Sequence, residues 1–237
     1  MSSPTPDLPL MRDLPRASVP DGLPLVLASG SPRRKQLLDA AGYRFSVTPA
    51  GPQAECGVCS RETAPQLVAR HAFRKAVDVA VRLTAADSQP VMILSADTVA
   101  SCDAAILGKP VDREHAESML RRLSGRRHDV YTGVCLWSTA SSRCVVDVVR
   151  TELVMKPLSD EMLRDYLDTE LWEGKAGSFG YQDGNDWIDL AGRGSESNVV
   201  GLPMERLAEL LEQFGTLAET VSTETDDTVF PLRFSGS

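Results

Sequence analysis

The sequence contains no apolar run long enough to cross a membrane, and residues 1–20, rich in Pro, Ser and Asp, hold no apolar core of a secretory leader. Both absences lead to the expectation of a cytoplasmic protein with no membrane partner. Positive charge is also short: 25 Lys and Arg stand against 33 Asp and Glu, a net charge of −8. That balance argues against general nucleic-acid binding, which needs a basic surplus. The three histidines, His71, His115 and His128, are far apart in the chain. The five cysteines are Cys56, Cys59, Cys102, Cys135 and Cys144, an odd count that fits reduced thiols in a cytosolic chain. Cys56-Gly57-Val58-Cys59 has the spacing of a zinc or redox pair. No second cysteine pair or nearby histidine completes it, so idle thiols are expected rather than a structural zinc.

What remains is ordinary for a globular domain: 42% hydrophobic and 24% charged residues over 237 positions. Residues 1–22 are rich in proline and polar side chains, and residues 216–237 are acidic and Thr-rich. Both are read as disordered tails. The folded domain is expected over residues 23–215.

One stretch organises the domain. Leu25-Val26-Leu27-Ala28 reads as a buried strand, Ser29-Gly30-Ser31 as a turn, and Pro32-Arg33-Arg34-Lys35 as the start of a helix. Ser31 suits the N-cap and Pro32 the first helical position. Free backbone N–H groups and the helix dipole at such a turn favour a phosphate. Arg33 and Arg34 add guanidinium groups that grip phosphate oxygens in pairs. The plainer alternative is a capped surface helix with two solvated arginines.

The first helix should end near Ala41, with Gly42 behind it. Tyr43–Val47 alternates like a strand. Thr48–Arg61 reads as a loop carrying Glu55, by default a solvated acid. Thr63–Leu83 has Leu67, Val68, Ala72, Ala76, Val79, Ala80 and Leu83 on one helical face, with Lys75 beside them. Val91–Leu94 is a short buried strand that delivers Ser95-Ala96-Asp97-Thr98. An Asp at a strand's carboxyl end is either a turn residue or a functional carboxylate. A hairpin turning at Cys102–Ala105 follows, then a Gly108-Lys109-Pro110 turn and a helix over Arg113–Leu123 capped by Asp112. His128–Trp137 and Arg143–Met155 read as long paired strands. A short helix begins at Ser159. Glu173–Tyr181 is a glycine-rich loop bearing Lys175, with Gln182 expected on a returning strand. Trp187–Leu190 reads as a strand, Arg193–Asn198 as a polar loop, and Pro203 opens a last helix that Gly215 ends.

Ala28-Ser29-Gly30-Ser31-Pro32-Arg33-Arg34 resembles the opening motif of the Maf family of nucleoside triphosphate pyrophosphatases. Further matches follow in the family's order: Lys75-Ala76, Ser95-Ala96-Asp97-Thr98, Gly108-Lys109-Pro110, Leu123-Ser124-Gly125, Tyr131-Thr132-Gly133, Lys175-Ala176-Gly177 and Val199-Val200-Gly201-Leu202-Pro203. The resemblance spans about Leu25 to Phe214. It implies an α/β fold with a long bent mixed sheet, flanking helices and a cleft between two lobes, and pairing into a homodimer. It implies Asp97 as proton acceptor and Glu55 as an acid facing the site; the two carboxylates are then expected either to hold a divalent cation, Mg²⁺ or Mn²⁺, or to orient water. It implies Ser29, Ser31, Arg33, Arg34, Lys75, Lys109 and Lys175 as contacts to the substrate's phosphates, and Arg33, Thr98 and Gln182 as determinants of substrate choice.

Five candidate cations in an acidic chain match the roughly four negative charges of a triphosphate, and one or two carboxylates plus phosphates are a common magnesium donor set. The expected reaction, carried by the resemblance, is hydrolysis between the α and β phosphates of dTTP or UTP. Arg33 after Pro32, Thr98 after Asp97 and Gln182 after the glycine loop favour that subgroup. The Ala176-Gly177-Ser178-Phe179 stretch leans toward the relatives acting on 7-methyl-GTP, and a nucleotide-binding regulator of cell division without turnover stands as a third reading.

Overall fold

The structure is a computed structural model describing residues 13–55, 61–86, 89–192 and 194–221. Strand β1 (Leu25–Leu27) lies between β2 (Phe45–Val47) and β3 (Met92–Cys102) and runs parallel to both. Beyond β1, β3 continues as one long strand. The hairpin strand β4 (Ala105–Leu107) folds back on its end, through a turn in which Asp103 and Ala104 take positive φ. On its other edge β3 pairs antiparallel with β5 (Arg127–Ser138), β5 with β6 (Cys144–Met155), and β6 with β7 (Ile188–Leu190). The result is a seven-stranded mixed sheet, as the family resemblance implies.

Alternation along β3 assigns its residues to two faces. Met92, Leu94 and Ala96 enter a first core with Leu37 and Leu38 of α1 (Pro32–Ala40) and Leu207, Leu210, Leu211 and Phe214 of the C-terminal helix. Farther along the same face, Ala100 and Cys102 enter a second core. It includes Met119, Leu120 and Leu123, together with Leu163 and Leu167. Thr98 falls between these cores. On the opposite face, Ile93 packs with Ala72, Ala76 and Val79 of α2 (Ala64–Ala85), and Val99 with Leu67 and Val68. Helix α2 can come this close because Gly133 of β5 has no side chain: a Cβ there would run into the Val68 carbonyl.

The sequence reading of most elements holds. α2 has the expected apolar face. α3 (Arg113–Leu123) is capped by Asp112, whose carboxylate accepts the His115 N–H at 2.7 Å. α4 covers Asp160–Asp168. Several readings need correction. The short strand expected over Val91–Leu94 runs on to Cys102 as β3, so Asp97 lies in mid-strand opposite Gly133 and not at a strand end. Residues 13–22, expected within a disordered tail, lie on the first core. Ala17 and Pro20 are buried there, Leu14, Val19 and Leu23 pack against it, and the Ala17 N–H donates to the Tyr43 hydroxyl at 3.1 Å. The apolar residues in this proline-rich stretch are spaced to cover the core.

The expected polar loop at 193–198 contains the start of a short helix, α5 (Glu196–Val200), capped by Ser195. The last helix, α6 (Met204–Val221), passes through Gly215 instead of ending there. One glycine costs a helix only about 1 kcal/mol, and Gly215 lies beside the Pro20 ring. Residues 1–12 and 222–237, and Cys56 and Cys59, lie outside the described residues. No helix among those described is long and apolar enough to cross a membrane.

Candidate active site

The turn after β1 sits at the strand's carboxyl end, beside the middle of β3. Ser31 occupies the N-cap position of α1, but its hydroxyl makes no cap bond. Ser29 is buried, and its Oγ accepts from the Ser31 N–H at 3.3 Å and from Arg34 Nη1 at 2.9 Å. Arg34 is buried too. Its Nε donates to the Gly201 carbonyl at 2.7 Å and its Nη2 to Thr98 Oγ1 at 3.1 Å. Three separate acceptors therefore fix this guanidinium, which clamps α1 to β3 and to the end of α5. Burial presses its pKa downward while the Asp97 charge opposes the shift. Thr98 Oγ1 also meets Thr132 Oγ1 at 2.9 Å, and Thr132 donates to the Asn198 carbonyl.

Asp97, the next residue back, turns to the other face of β3. Its Oδ1 accepts from Lys75 Nζ at 2.7 Å and its Oδ2 lies 2.9 Å from His71 Nδ1. Lys75 Nζ also donates to the Ala96 carbonyl at 3.1 Å and pairs with Glu55 Oε1 at 2.7 Å. Glu55 Oε2 stands 3.5 Å from Lys109 Nζ. Burial alone would raise the Asp97 carboxyl. The His71 hydrogen bond and the Lys75 and Arg34 charges outweigh it and hold the group well below the usual carboxylate range. Glu55 follows the same logic, with burial opposed by Lys75 and Lys109, and ends below its ordinary value. Asp97 and Glu55 are thus ionised and converge on one cationic atom.

The glycine loop closes the other side. Arg33 Nη2 donates to the Gly174 carbonyl at 3.0 Å. Lys175 is buried in an ion pair with Asp183, whose second oxygen accepts the Tyr166 hydroxyl at 2.8 Å. Burial lowers the Lys175 pKa against the pull of Asp183. Gln182 lies in a turn, not on a returning strand, because the chain bends through residues 181–183 before β7 begins at Ile188. Among the described residues no hydrogen bond joins Gln182 to Arg33 or Thr98.

The structure therefore brings Glu55, Lys75, Asp97 and Lys109 into one contact group, and Ser29, Arg34 and Thr98 into a second beside it. Arg33 and Lys175 belong to the glycine loop. Sequence reasoning missed His71. Its signal was the i, i+4 spacing to Lys75, which puts both side chains on one helical face.

Residues 24–214 match the family model described as Maf-like protein. The chain belongs to the Maf family. Its relatives within Maf include a protein of Rhodopirellula baltica, 62% identical over 224 residues, which cover 92% of this chain and 96% of the relative. A Clostridioides difficile protein is 38% identical over 80% of this chain and 94% of its own length. A Symbiobacterium thermophilum protein is 40% identical over 81% and 94%, respectively. All three carry the name dTTP/UTP pyrophosphatase. The Maf resemblance read from Ala28–Arg34 onward thus covers nearly the whole described domain.

Proposed function

We propose that this chain is a nucleoside triphosphate pyrophosphatase that converts dTTP and UTP to the nucleoside monophosphate and pyrophosphate. The observation carrying the reading is the 62% identity to a dTTP/UTP pyrophosphatase across 92% of the chain. The site's charge pattern supports it: Arg34, Lys75 and Lys109 bring positive charge to Asp97 and Glu55, and a polyphosphate needs cations. Phosphoryl chemistry of this kind depends on positioning and charge neutralisation more than on covalent catalysis.

In this reading the oxygen of a water bonds to the α phosphorus as the bridging bond to the β phosphate breaks. Asp97 accepts the water's proton. Its carboxylate is held strongly acidic by His71 and Lys75, and phosphates drawing on the Lys75 charge return basicity to it. Asp97 and Glu55 are the residues that would hold a divalent cation, Mg²⁺ or Mn²⁺. Their donor chemistry fits it: both are ionised carboxylates gathered at Lys75 Nζ, and one or two carboxylates with substrate phosphates are a common magnesium donor set. When bound, such a cation neutralises phosphate charge. A cytoplasmic setting and assembly as a homodimer belong to the same reading.

The test is a nucleotide panel of dTTP, UTP and 7-methyl-GTP with Mg²⁺ or Mn²⁺, with products separated by chromatography. dTMP, UMP and pyrophosphate are expected. A preference for 7-methyl-GTP, or nucleoside diphosphate and phosphate as products, would contradict the assignment.

A further inference from the structure

We propose that His71 is a positioning residue that fixes the Asp97 carboxylate for reaction. The inference rests on the role given to Asp97 above. His71 and Lys75 are one turn apart on α2 and take the two oxygens of Asp97 separately, Nδ1 on Oδ2 at 2.9 Å and Nζ on Oδ1 at 2.7 Å. Two donors from one rigid helix fix both the rotation and the tilt of the carboxylate plane. An ionised carboxylate only accepts hydrogen bonds, so the shared hydrogen sits on Nδ1.

The helix cannot drift from the strand. Gly133 lets the α2 backbone rest directly on β5, and the Ser95 hydroxyl donates to the Ala72 carbonyl at 2.6 Å. His71 is itself buried, with 8% exposure, and its Nε2 is buried with no hydrogen-bond partner. Among the described residues the imidazole's one polar contact is therefore with Asp97. Packing alone does not account for it. An unpartnered buried nitrogen is unfavourable, and an apolar side chain would fill the same space without that cost. What the ring does that a leucine cannot is donate to Oδ2.

The experiment compares five variants of the full chain in dTTP hydrolysis, with kcat and KM measured per folded molecule and folding followed by circular dichroism. In His71→Asn the amide nitrogen is attached to Cγ, as Nδ1 is, and can still donate to Oδ2. In His71→Gln the amide lies farther out, toward the Nε2 position, and in His71→Leu there is no donor. His71→Leu and His71→Gln should lower kcat roughly 10–100-fold, the usual effect of losing a group that orients a ligand or catalytic residue, with KM unchanged. His71→Asn should recover most of the loss. The Gln variant keeps the comparison intact if the Leu variant does not fold.

Adding Asp97→Asn to His71→Gln should slow turnover no further than Asp97→Asn alone, because His71 acts through Asp97. A slow Asp97→Asn with wild-type kcat in His71→Gln overturns the role of His71 while leaving that of Asp97 standing. A near wild-type kcat in Asp97→Asn overturns both. Equal losses in His71→Asn and His71→Gln also overturn the proposal, since a structural role makes no distinction between the two amides.

Discussion

Lys75 and Asp97, 22 residues apart in sequence, meet at 2.7 Å on the face of the sheet that α2 covers. The lysine is 3% exposed. It is the only described side chain that touches both Asp97 and Glu55. A buried ion pair is costly to break from one side, because the remaining charge is left uncompensated. Lys75→Met should therefore destabilise the fold by about 3 kcal/mol and weaken nucleotide binding. Urea unfolding and nucleotide titration on this variant measure the two effects. Unchanged stability would mean that Lys75 is not the keystone of the cluster.

Arg34 makes a different prediction from its neighbour Arg33. A lysine at position 34 keeps the charge but cannot reach Gly201, Ser29 and Thr98 together. Losing two of the three bonds should lower the melting temperature of Arg34→Lys by roughly 6–12 °C. Arg33→Lys gives up one exposed bond to Gly174 and should melt close to wild type, with its loss appearing in substrate affinity. Thermal melts of the two variants side by side check the contrast.

The N-terminal segment gives a third. A chain starting at residue 24 loses the packing of Ala17, Val19 and Pro20 and the partner of Tyr43. It should be less stable by about 3–5 kcal/mol than a chain starting at residue 13. Equal urea midpoints for the two truncations would show that the segment adds nothing to the core.

Acid should act through Asp97. Its folded-state value lies below the ordinary carboxylate value, so the ionised form contributes stability that is fully present above about pH 4. That contribution is lost as pH falls through the lower native value. The gap in unfolding free energy between wild type and Asp97→Asn should narrow between pH 7 and pH 3. A gap that stays constant would place the Asp97 value at its ordinary position.

These predictions also mark what could be read from the chain alone. Pro32–Arg34 and Asp112–Leu123 were legible because caps, proline and helical spacing are local signals. Asp97 was legible as a candidate only through an expected strand end, which β3 removes by running on to Cys102, and through the family resemblance, since nothing nearby in sequence shows that His71 and Lys75 reach it. His71 looked like one of three scattered histidines, and only the register of α2 on β3 brings it to Oδ2. Arg34 was legible as an arginine at a helix start, but its acceptors at Gly201 and Thr98, 167 and 64 residues away, were not. Gln182 was misread as strand because the turn at 181–183 separates it from β7. The segment 13–22 was misread because proline content hid the apolar residues that settle on the core.

Pyrophosphate release from dTTP by wild type and Asp97→Asn, with nucleotide affinity and melting temperature measured on the same samples, tests the central claim most directly. The side chains are nearly the same size, and only the charge and basicity differ. Turnover should fall roughly 10²–10⁴-fold, the contribution of one catalytic acid–base group, while the variant still binds dTTP through Arg33, Lys75 and Lys109. A variant that melts lower yet turns over at the wild-type rate per folded molecule would contradict the account.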